Sequence, residues 1–310
     1  MRDCNRDLSA RLGIVFEYTE CRSDCGQFLF ARFSAGSNSG NANAGCLMTP
    51  ASDLSVAEYF ARLASSYGAG EYYRKRRAAA VAELGRRLGK IESLLDLGCG
   101  NGTYLSGFRE VIDPKFLVGA DISFRMAQEA LRRGATNAIV AGDATVLPFR
   151  PASFHAIFCS HVLQFVADLP RSVAEIARSL VPGGTFVIAG GEFGVRERLK
   201  ILLGDVRWSA FRAEPLRPRD VRIRRSLADY QDAAERAELR VDSQTVEFSV
   251  TWADLAEFYR VRWLPLYDSS AQATLAGVLE ELVSERGNES FRMNESLLFC
   301  QRAGRTMTPR

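Results

Sequence analysis

The chain has 310 residues, 47% of them hydrophobic, enough to enclose a full α/β core with room for appended segments. Lys and Arg number 40 against 37 Asp and Glu, a net charge of +3 with both signs intermixed, so a strongly basic nucleic-acid surface is not dictated. No apolar run approaches the roughly 20 residues that span a bilayer, and Asp3, Asp7, Glu17, Glu20 and Asp24 are foreign to a signal or transit peptide.

The expectation is a soluble, cytoplasmic protein. Its seven cysteines do not make a disulfide framework in a chain of this size. Cys21 and Cys25 are spaced C-x3-C, with Cys4 and Cys46 outside them, which zinc sites can use. No histidine lies nearby and the outer spacings fit no zinc module, so unligated thiols, and no metal, are expected.

Residues 1–47 read as a flexible extension. A mixed segment holding GIVFEY and FLFARF runs into SAGSNSGNANAG (Ser34 to Gly45), a small, polar linker, with Met48 an alternative start directly after it. Asp53 to Gly70 (DLSVAEYFARLASSYGAG) places apolar and aromatic residues at helical spacing behind a capping Asp53. A second helix follows over 71–89. Its basic run, Arg74 to Arg77, is read as a solvated face.

The stretch that organises the rest is Ser93 to Leu105, SLLDLGCGNGTYL. An apolar run broken only by Asp96 leads into Gly98, Gly100 and Gly102, the pattern of a buried strand, a tight turn and a helix start. Glycines permit positive φ and close approach of a ligand, and such a turn is expected to aim unpaired N–H groups beyond the strand. A dinucleotide fingerprint requires a sixth-position glycine, where Thr103 stands; a phosphate loop requires a lysine that is absent. The sequence Asp-x-Gly-x-Gly-x-Gly over Asp96 to Gly102 instead resembles the first motif of class I S-adenosylmethionine-dependent methyltransferases.

Downstream segments fit the same resemblance in order. Thr103 to Arg109 reads as the next helix and FLVGAD (Phe116 to Asp121) as the second strand. Asp121 lies about 20 residues past the glycines, where α/β folds place a carboxylate on ribose hydroxyls; a helix cap there, or Ser123 in that role, is the alternative. Phe124 to Arg133 is a helix ended by Gly134. Ala138 to Val140 is a third strand, followed by GDATVLPF (Gly142 to Phe149), which resembles the family's acidic loop. The resemblance implies that Asp143 meets the adenine amine and the Ala144 N–H a ring nitrogen, with Ile122 also against the cofactor.

SFHAIFCSHVLQFV (Ser153 to Val166) supplies a fourth strand, Ala156 to Cys159, and a loop whose residues Cys159 to Gln164 should face the transferred methyl group. His155 stands where the family often has aspartate. His161 falls among acceptor-facing positions and is the candidate general base, or else only shapes the pocket. Leu169 to Leu180 is an amphipathic helix and VPGGTFVIAG (Val181 to Gly190) a fifth strand.

Residues 191–225 carry ten Lys/Arg against five Asp/Glu and are read as a solvated insertion, with binding of an anionic acceptor or nucleic acid as the alternatives. Ser226 to Leu239 reads as a helix, Arg240 to Val250 as a strand, and SLLFCQR (Ser296 to Arg302) as the last strand, a pair similar to the family's closing antiparallel hairpin. Trp252 to Gly287 is a helical insertion. Its Trp252, Phe258, Tyr259, Trp263 and Tyr267 either face an apolar acceptor or pack within the insertion. By resemblance, Tyr59, Phe60 and Tyr67 are candidates to line the pocket from an N-terminal lid; the alternative, favoured for any single one, is an aromatic face packed on the core.

The resemblance therefore implies a Rossmann-like α/β fold: a seven-stranded, mostly parallel sheet, last strand antiparallel, with helical lid insertions. The implied layout is a methyltransferase domain over 48–303, with a core at 90–190, insertions at 191–225 and 251–293, and a tail at 304–310. The implied chemistry is methyl transfer from S-adenosyl-L-methionine to a small-molecule O, N or C nucleophile. Asp96, Gly98, Cys99, Gly100, Gly102, Asp121, Ile122, Asp143, Ala144, Cys159 and Ser160 would hold the cofactor and His161 would act as base. An RNA or protein methyltransferase, a nicotinamide oxidoreductase and a non-catalytic binder of the same nucleoside are the alternatives.

Overall fold

The computed structural model describes residues 55–190, 225–262 and 269–304, the single positions 200, 204, 205, 208, 223 and 264, and the backbone of 29–32. The expectations for Ser34 to Gly45, for Cys4, Cys21, Cys25 and Cys46, for Met48 and Asp53, for Trp263 and Tyr267, and for most of 191–225 lie outside the described residues.

Eight strands form one sheet: β1 (Leu29–Arg32), β2 (Ser93–Leu97), β3 (Phe116–Asp121), β4 (Ala138–Ala141), β5 (Phe154–Ser160), β6 (Leu180–Gly190), β7 (Leu239–Thr251) and β8 (Ser290–Arg302). Their order is β1-β4-β3-β2-β5-β6-β8-β7. All neighbours are parallel except β8, which runs antiparallel to both β6 and β7. The seven expected strands are thus β2 to β8, closed by an antiparallel last strand. The eighth, β1, comes from FLFARF in the supposed extension and pairs in parallel with β4 through Leu29↔Ala138 to Arg32↔Ala141.

The helices are α1 (Val56–Leu63), α2 (Glu71–Leu88), α3 (Thr103–Val111), α4 (Phe124–Arg133), α5 (Leu169–Ser179), α6 (Leu227–Arg236), α7 (Trp252–Arg262) and α8 (Ser269–Arg286). Their starts follow local chemistry. Ser55 caps α1 in a reciprocal box with Glu58, and Ser226 does the same for α6 with Asp229. Asp168 caps α5, with Pro170 in its first turn. Gly134 ends α4 in the left-handed conformation (φ 74°), which carries no Cβ penalty in glycine.

Every residue of β2 is buried, as a central parallel strand covered on both faces requires. One face packs Leu95, Leu97, Val118, Val140, Ile157 and Ile188 against α5 and α6. The other packs Leu94, Leu117, Ile139, Phe158 and Val187 against α2, α3 and α4. A third cluster joins Tyr72 and Tyr73 of α2 to Trp252, Phe258 and Tyr259 of α7 and to Met293 of β8. Those three insertion aromatics are each less than 10% exposed, so they pack within the fold and do not line an acceptor surface.

One boundary and one surface reading differ from expectation, with consequences for the site. β8 begins at Ser290, six residues before the anticipated Ser296, because the hairpin with β7 continues in register out to Thr251↔Ser290. The run Arg74 to Arg77 is not wholly solvated: Arg76 is 7% exposed and pairs with Glu295, a residue of the added part of β8.

β3 lies close to its neighbours at Gly119, where an added Cβ would fall 2.6 Å from Ile139 Cδ1 and 2.9 Å from Cys99 Sγ. Gly119→Ala is expected to destabilise the protein by about 1–3 kcal/mol, the usual cost of overpacking a core; thermal or urea unfolding of the purified variant checks this.

Candidate functional site

The sheet order reverses direction between β2 and β5, the two strands that flank the switch point at which open α/β sheets bind ligands. The glycine turn lies there. Gly98, Gly100 and Gly102 take φ of 73°, 55° and 83°, so the chain coils tightly. The amides curl inward and do not form the expected free array. Gly98 and Cys99 N–H both donate to Ala120 O, at 2.7 and 3.0 Å, and Gly102 N–H donates to Cys99 O. Gly100 N–H donates to Asp121 Oδ2 at 2.8 Å.

Asp121, at the end of β3, also accepts from Ser123 N–H through Oδ1 at 2.8 Å. Burial pushes its carboxyl up to about 6, against the pull of those two amides. A carboxylate has about four lone-pair positions. Two are occupied, which leaves two for a neighbouring diol.

Asp96 sits alongside in β2, 2% exposed, and its Oδ2 has no hydrogen-bond partner. Burial first, and then the charge of Asp121, holds its carboxyl well above the ordinary range. An unpartnered buried carboxylate oxygen is a destabilising feature unless a donor or a cation completes it.

A roof covers the turn. A methyl group on Gly100 would lie 3.8 Å from the Tyr67 ring, and one on Gly98 would overlap Val162, 2.1 Å from Cγ2. Phe60 packs edge-on to Tyr67 and to Phe165, with centroids 5.7 and 5.1 Å apart. Asn101, fully buried, donates from Nδ2 to Ala64 O and Tyr67 O at 2.9 and 2.7 Å. The Arg262 guanidinium lies over the Tyr59, Phe60 and Tyr67 rings at 5.1, 5.8 and 5.8 Å and donates to the Tyr59 hydroxyl. Tyr59 is itself buried, so Phe60 and Tyr67 are the lid rings with surface left to offer.

The remaining expected residues divide. Ile122, 49% exposed, stands beside Asp121 as an apolar surface. Asp143 is exposed; its Oδ1 accepts from Thr145 N–H and Oγ1, and Ala144 next to it is buried. The side chains of Cys99 and Cys159 both face the core. The Cys99 thiol fills the space over Gly119, and Cys159 is fully buried among the apolar residues under α5. Burial raises both thiols, so neither supplies a thiolate. Only their backbones reach the turn and strand end. His155 lies at the start of β5, bonded through Nδ1 to Ser93 Oγ at 2.8 Å, away from the carboxyl ends of the strands.

At the carboxyl end of β5, His161 adopts φ 55°, with its N–H donating to Ala189 O. Its Nε2 is 3.0 Å from Glu295 Oε1. Ser160 Oγ donates to the Tyr104 hydroxyl at 3.4 Å, and burial followed by the Glu295 charge raises Tyr104 to about 12. Sequence reading missed Glu295, Arg76, Tyr104 and Asn101. Among the described residues no cluster of His, Cys, Asp and Glu could hold a metal ion, and no helix is long and apolar enough to cross a membrane.

The methyltransferase-domain family matches residues 95–188. That stretch is thus similar to a methyltransferase domain, and the sheet has the Rossmann-like methyltransferase fold. The chain is 33% identical over 152 residues to a malonyl-[acyl-carrier protein] O-methyltransferase of Serratia marcescens, covering 46% of this chain and 56% of that one. It is 39% identical over 113 residues to a demethylmenaquinone methyltransferase of Beutenbergia cavernae, covering 36% of this chain and 45% of that one. The chain thus spans about half the length of these curated relatives. The YcgJ protein of Bacillus subtilis superposes with a TM-score of 0.50 at 17% identity, over 74% of this chain and 98% of that one, a likeness of fold alone.

Asn101 ties the roof to the glycine turn by two buried hydrogen bonds, each worth about 0.5–1.5 kcal/mol. Asn101→Ala is expected to raise the rate of proteolytic cleavage within residues 64–70 several-fold, read by limited digestion and mass spectrometry of the fragments.

Proposed function

We propose that this chain transfers the methyl group of S-adenosyl-L-methionine to an O, N or C nucleophile of a small molecule. The observation that carries the reading is the pairing of two carboxylates at the glycine turn, Asp96 buried with an unpartnered oxygen and Asp121 half-buried with room for a diol. That donor set fits the cofactor. Asp96 Oδ2 suits its ammonium group, and the two open positions on Asp121 suit its ribose hydroxyls. Ile122 offers an apolar wall for the adenine, the unshared Oδ2 of Asp143 an acceptor for its amine, and Ala144 a backbone donor. Gly98, Gly100 and Gly102, with the backbones of Cys99, Cys159 and Ser160, leave space that side chains would fill.

When bound, the cofactor supplies a methyl group on a positively charged sulfur, so a good leaving group is already present. The protein's part is then to align the nucleophile with that methyl and to exclude water. Phe60 and Tyr67 form the excluding roof. His161 takes the proton of the nucleophile as the base of the site. Small-molecule relatives, one acting on a malonyl-acyl carrier protein and the other on demethylmenaquinone by their names, support a small acceptor, and a cytoplasmic location goes with that reading.

The test is calorimetric titration with S-adenosylmethionine and S-adenosylhomocysteine, followed by an acceptor screen with the methyl-labelled donor. Asp121 offers acceptors on both oxygens to a diol only when ionised, and burial raises its folded carboxyl to about 6. Affinity is therefore full above that pH and falls about tenfold per unit as pH drops below it. Asp121→Asn is expected to weaken binding by about 10- to 100-fold, the worth of hydrogen bonds to a charged acceptor, and to flatten this pH dependence.

His161→Asn keeps a residue that tolerates positive φ. It is expected to leave donor affinity within about threefold while lowering turnover with any acceptor from the screen by about 10²–10⁴-fold.

A further inference from the structure

The acceptor side of the sheet contains a polar cluster that no part of the glycine-turn site uses. Glu295 is fully buried in β8, just past the residue pair Gly190↔Ser296 that ends the β6 ladder. Its Oε1 lies 3.0 Å from His161 Nε2 and 3.6 Å from Arg76 Nε, while its Oε2 has no hydrogen-bond partner. His161 is the exposed end of the cluster, its side chain 17% accessible.

We propose that Glu295 is the positioning residue for His161: its carboxylate accepts the Nε2–H and fixes the imidazole in the tautomer whose bare Nδ1 meets the acceptor. The proton-accepting role of Nδ1 rests on the methyl-transfer reading above; the tautomer does not.

Three features support the pair. First, a neutral imidazole carries one N–H, and an ionised carboxylate only accepts, so a bond between them puts the hydrogen on Nε2 and the lone pair on Nδ1. Arg76, a permanently charged guanidinium, sits beside Oε1 as its ion-pair partner and also contacts the Tyr104 hydroxyl. No protein hydrogen bond reaches Nδ1 among the described residues, whereas the Nδ1 of His155, the chain's other histidine, is held by Ser93.

Second, the geometry is maintained at a cost. His161 is one of four described non-glycine residues at positive φ, and such strain persists where the surroundings hold a side chain in place. Third, a buried arginine–glutamate pair adds little stability over apolar packing. An unsatisfied Oε2 at its centre makes this one a poor device for stability alone.

The step is balanced. The nucleophile's proton passes to Nδ1 as its lone pair bonds the methyl carbon, and the carbon–sulfur electron pair returns to sulfur. The imidazolium that forms is stabilised by the Glu295 carboxylate on its opposite edge, the role a buried carboxylate plays behind a histidine base.

The experiment is ¹⁵N-edited NMR of the histidine side chains in the full chain, with His155→Gln removing the other ring. At about pH 8, where a free imidazole is neutral, His161 is expected to show a protonated Nε2 and a bare Nδ1. Glu295→Leu is expected to lose that single-tautomer signature, and Glu295→Gln to recover it, because the amide oxygen accepts the same N–H. A wild-type ring with bare Nε2 overturns the proposal, as does an unchanged tautomer in Glu295→Leu. Should Glu295→Leu not fold, the wild-type spectrum decides alone. Calorimetry on the same samples separates the two readings. Failure to take up S-adenosylmethionine counts against methyl transfer, while the spectrum alone upholds or refutes the pair.

Discussion

Two neighbouring carboxylates near the ends of β2 and β3, one buried and one half-buried, govern the shape of this molecule's central cleft. Burying a charge is unfavourable unless it is paired and hydrogen-bonded. Asp121 is compensated by the amides of Gly100 and Ser123, and those bonds are available only because the turn coils through three left-handed glycines. Asp96 has no equivalent. Its unpartnered oxygen and raised carboxyl describe a site whose complement is a cation or a donor brought from outside. The turn therefore works less through free amides than through absent side chains and two poised acids.

The roof is a second consequence of the same turn. Asn101 can bind the carbonyls of Ala64 and Tyr67 because it projects from the apex of the coil, and Tyr67 can lie across Gly100 because no Cβ intervenes. The insertion contributes from behind. Arg262, at the end of α7, fastens Tyr59, Phe60 and Tyr67 together, while Lys75 Nζ and Asp254 Oδ2 at 2.7 Å join α2 to the start of α7. Its aromatic residues form the core that supports the lid.

Legibility in the sequence divided along the same line. Asp96 to Gly102, Phe116 to Asp121 and Phe124 to Arg133 were readable because backbone conformation there dictates residue type: glycine where φ is positive, β-branched and apolar residues in a buried strand, a glycine stop after a helix. β8 was placed six residues late because Asn294 and Glu295 look like loop chemistry. Their strand identity comes from pairing with Glu247 and Val246, which a local window does not contain. Arg76 was read as solvated for the same reason. A basic run gives no local sign that one of its members is paired with a carboxylate on a strand more than 200 positions away. Cys99 and Cys159 were placed in the site by sequence position. Both side chains turn to the core, that of Cys159 by the alternation of β5 and that of Cys99 from the turn onto Gly119.

The two halves of the cleft thus differ in how they are encoded. The donor half is written into contiguous motifs, and the family match over residues 95–188 contains all of them. The half proposed for the acceptor joins Arg76 of α2, Tyr104 of α3, His161 after β5 and Glu295 of β8, and the match includes only two of these four. A side chain placed by tertiary packing can be exchanged without disturbing a turn, whereas the glycines cannot. Likeness to known methyltransferases accordingly informs the first half far more than the second. The chemistry of the acceptor must be read from the buried Glu295 pair and its neighbours in this chain.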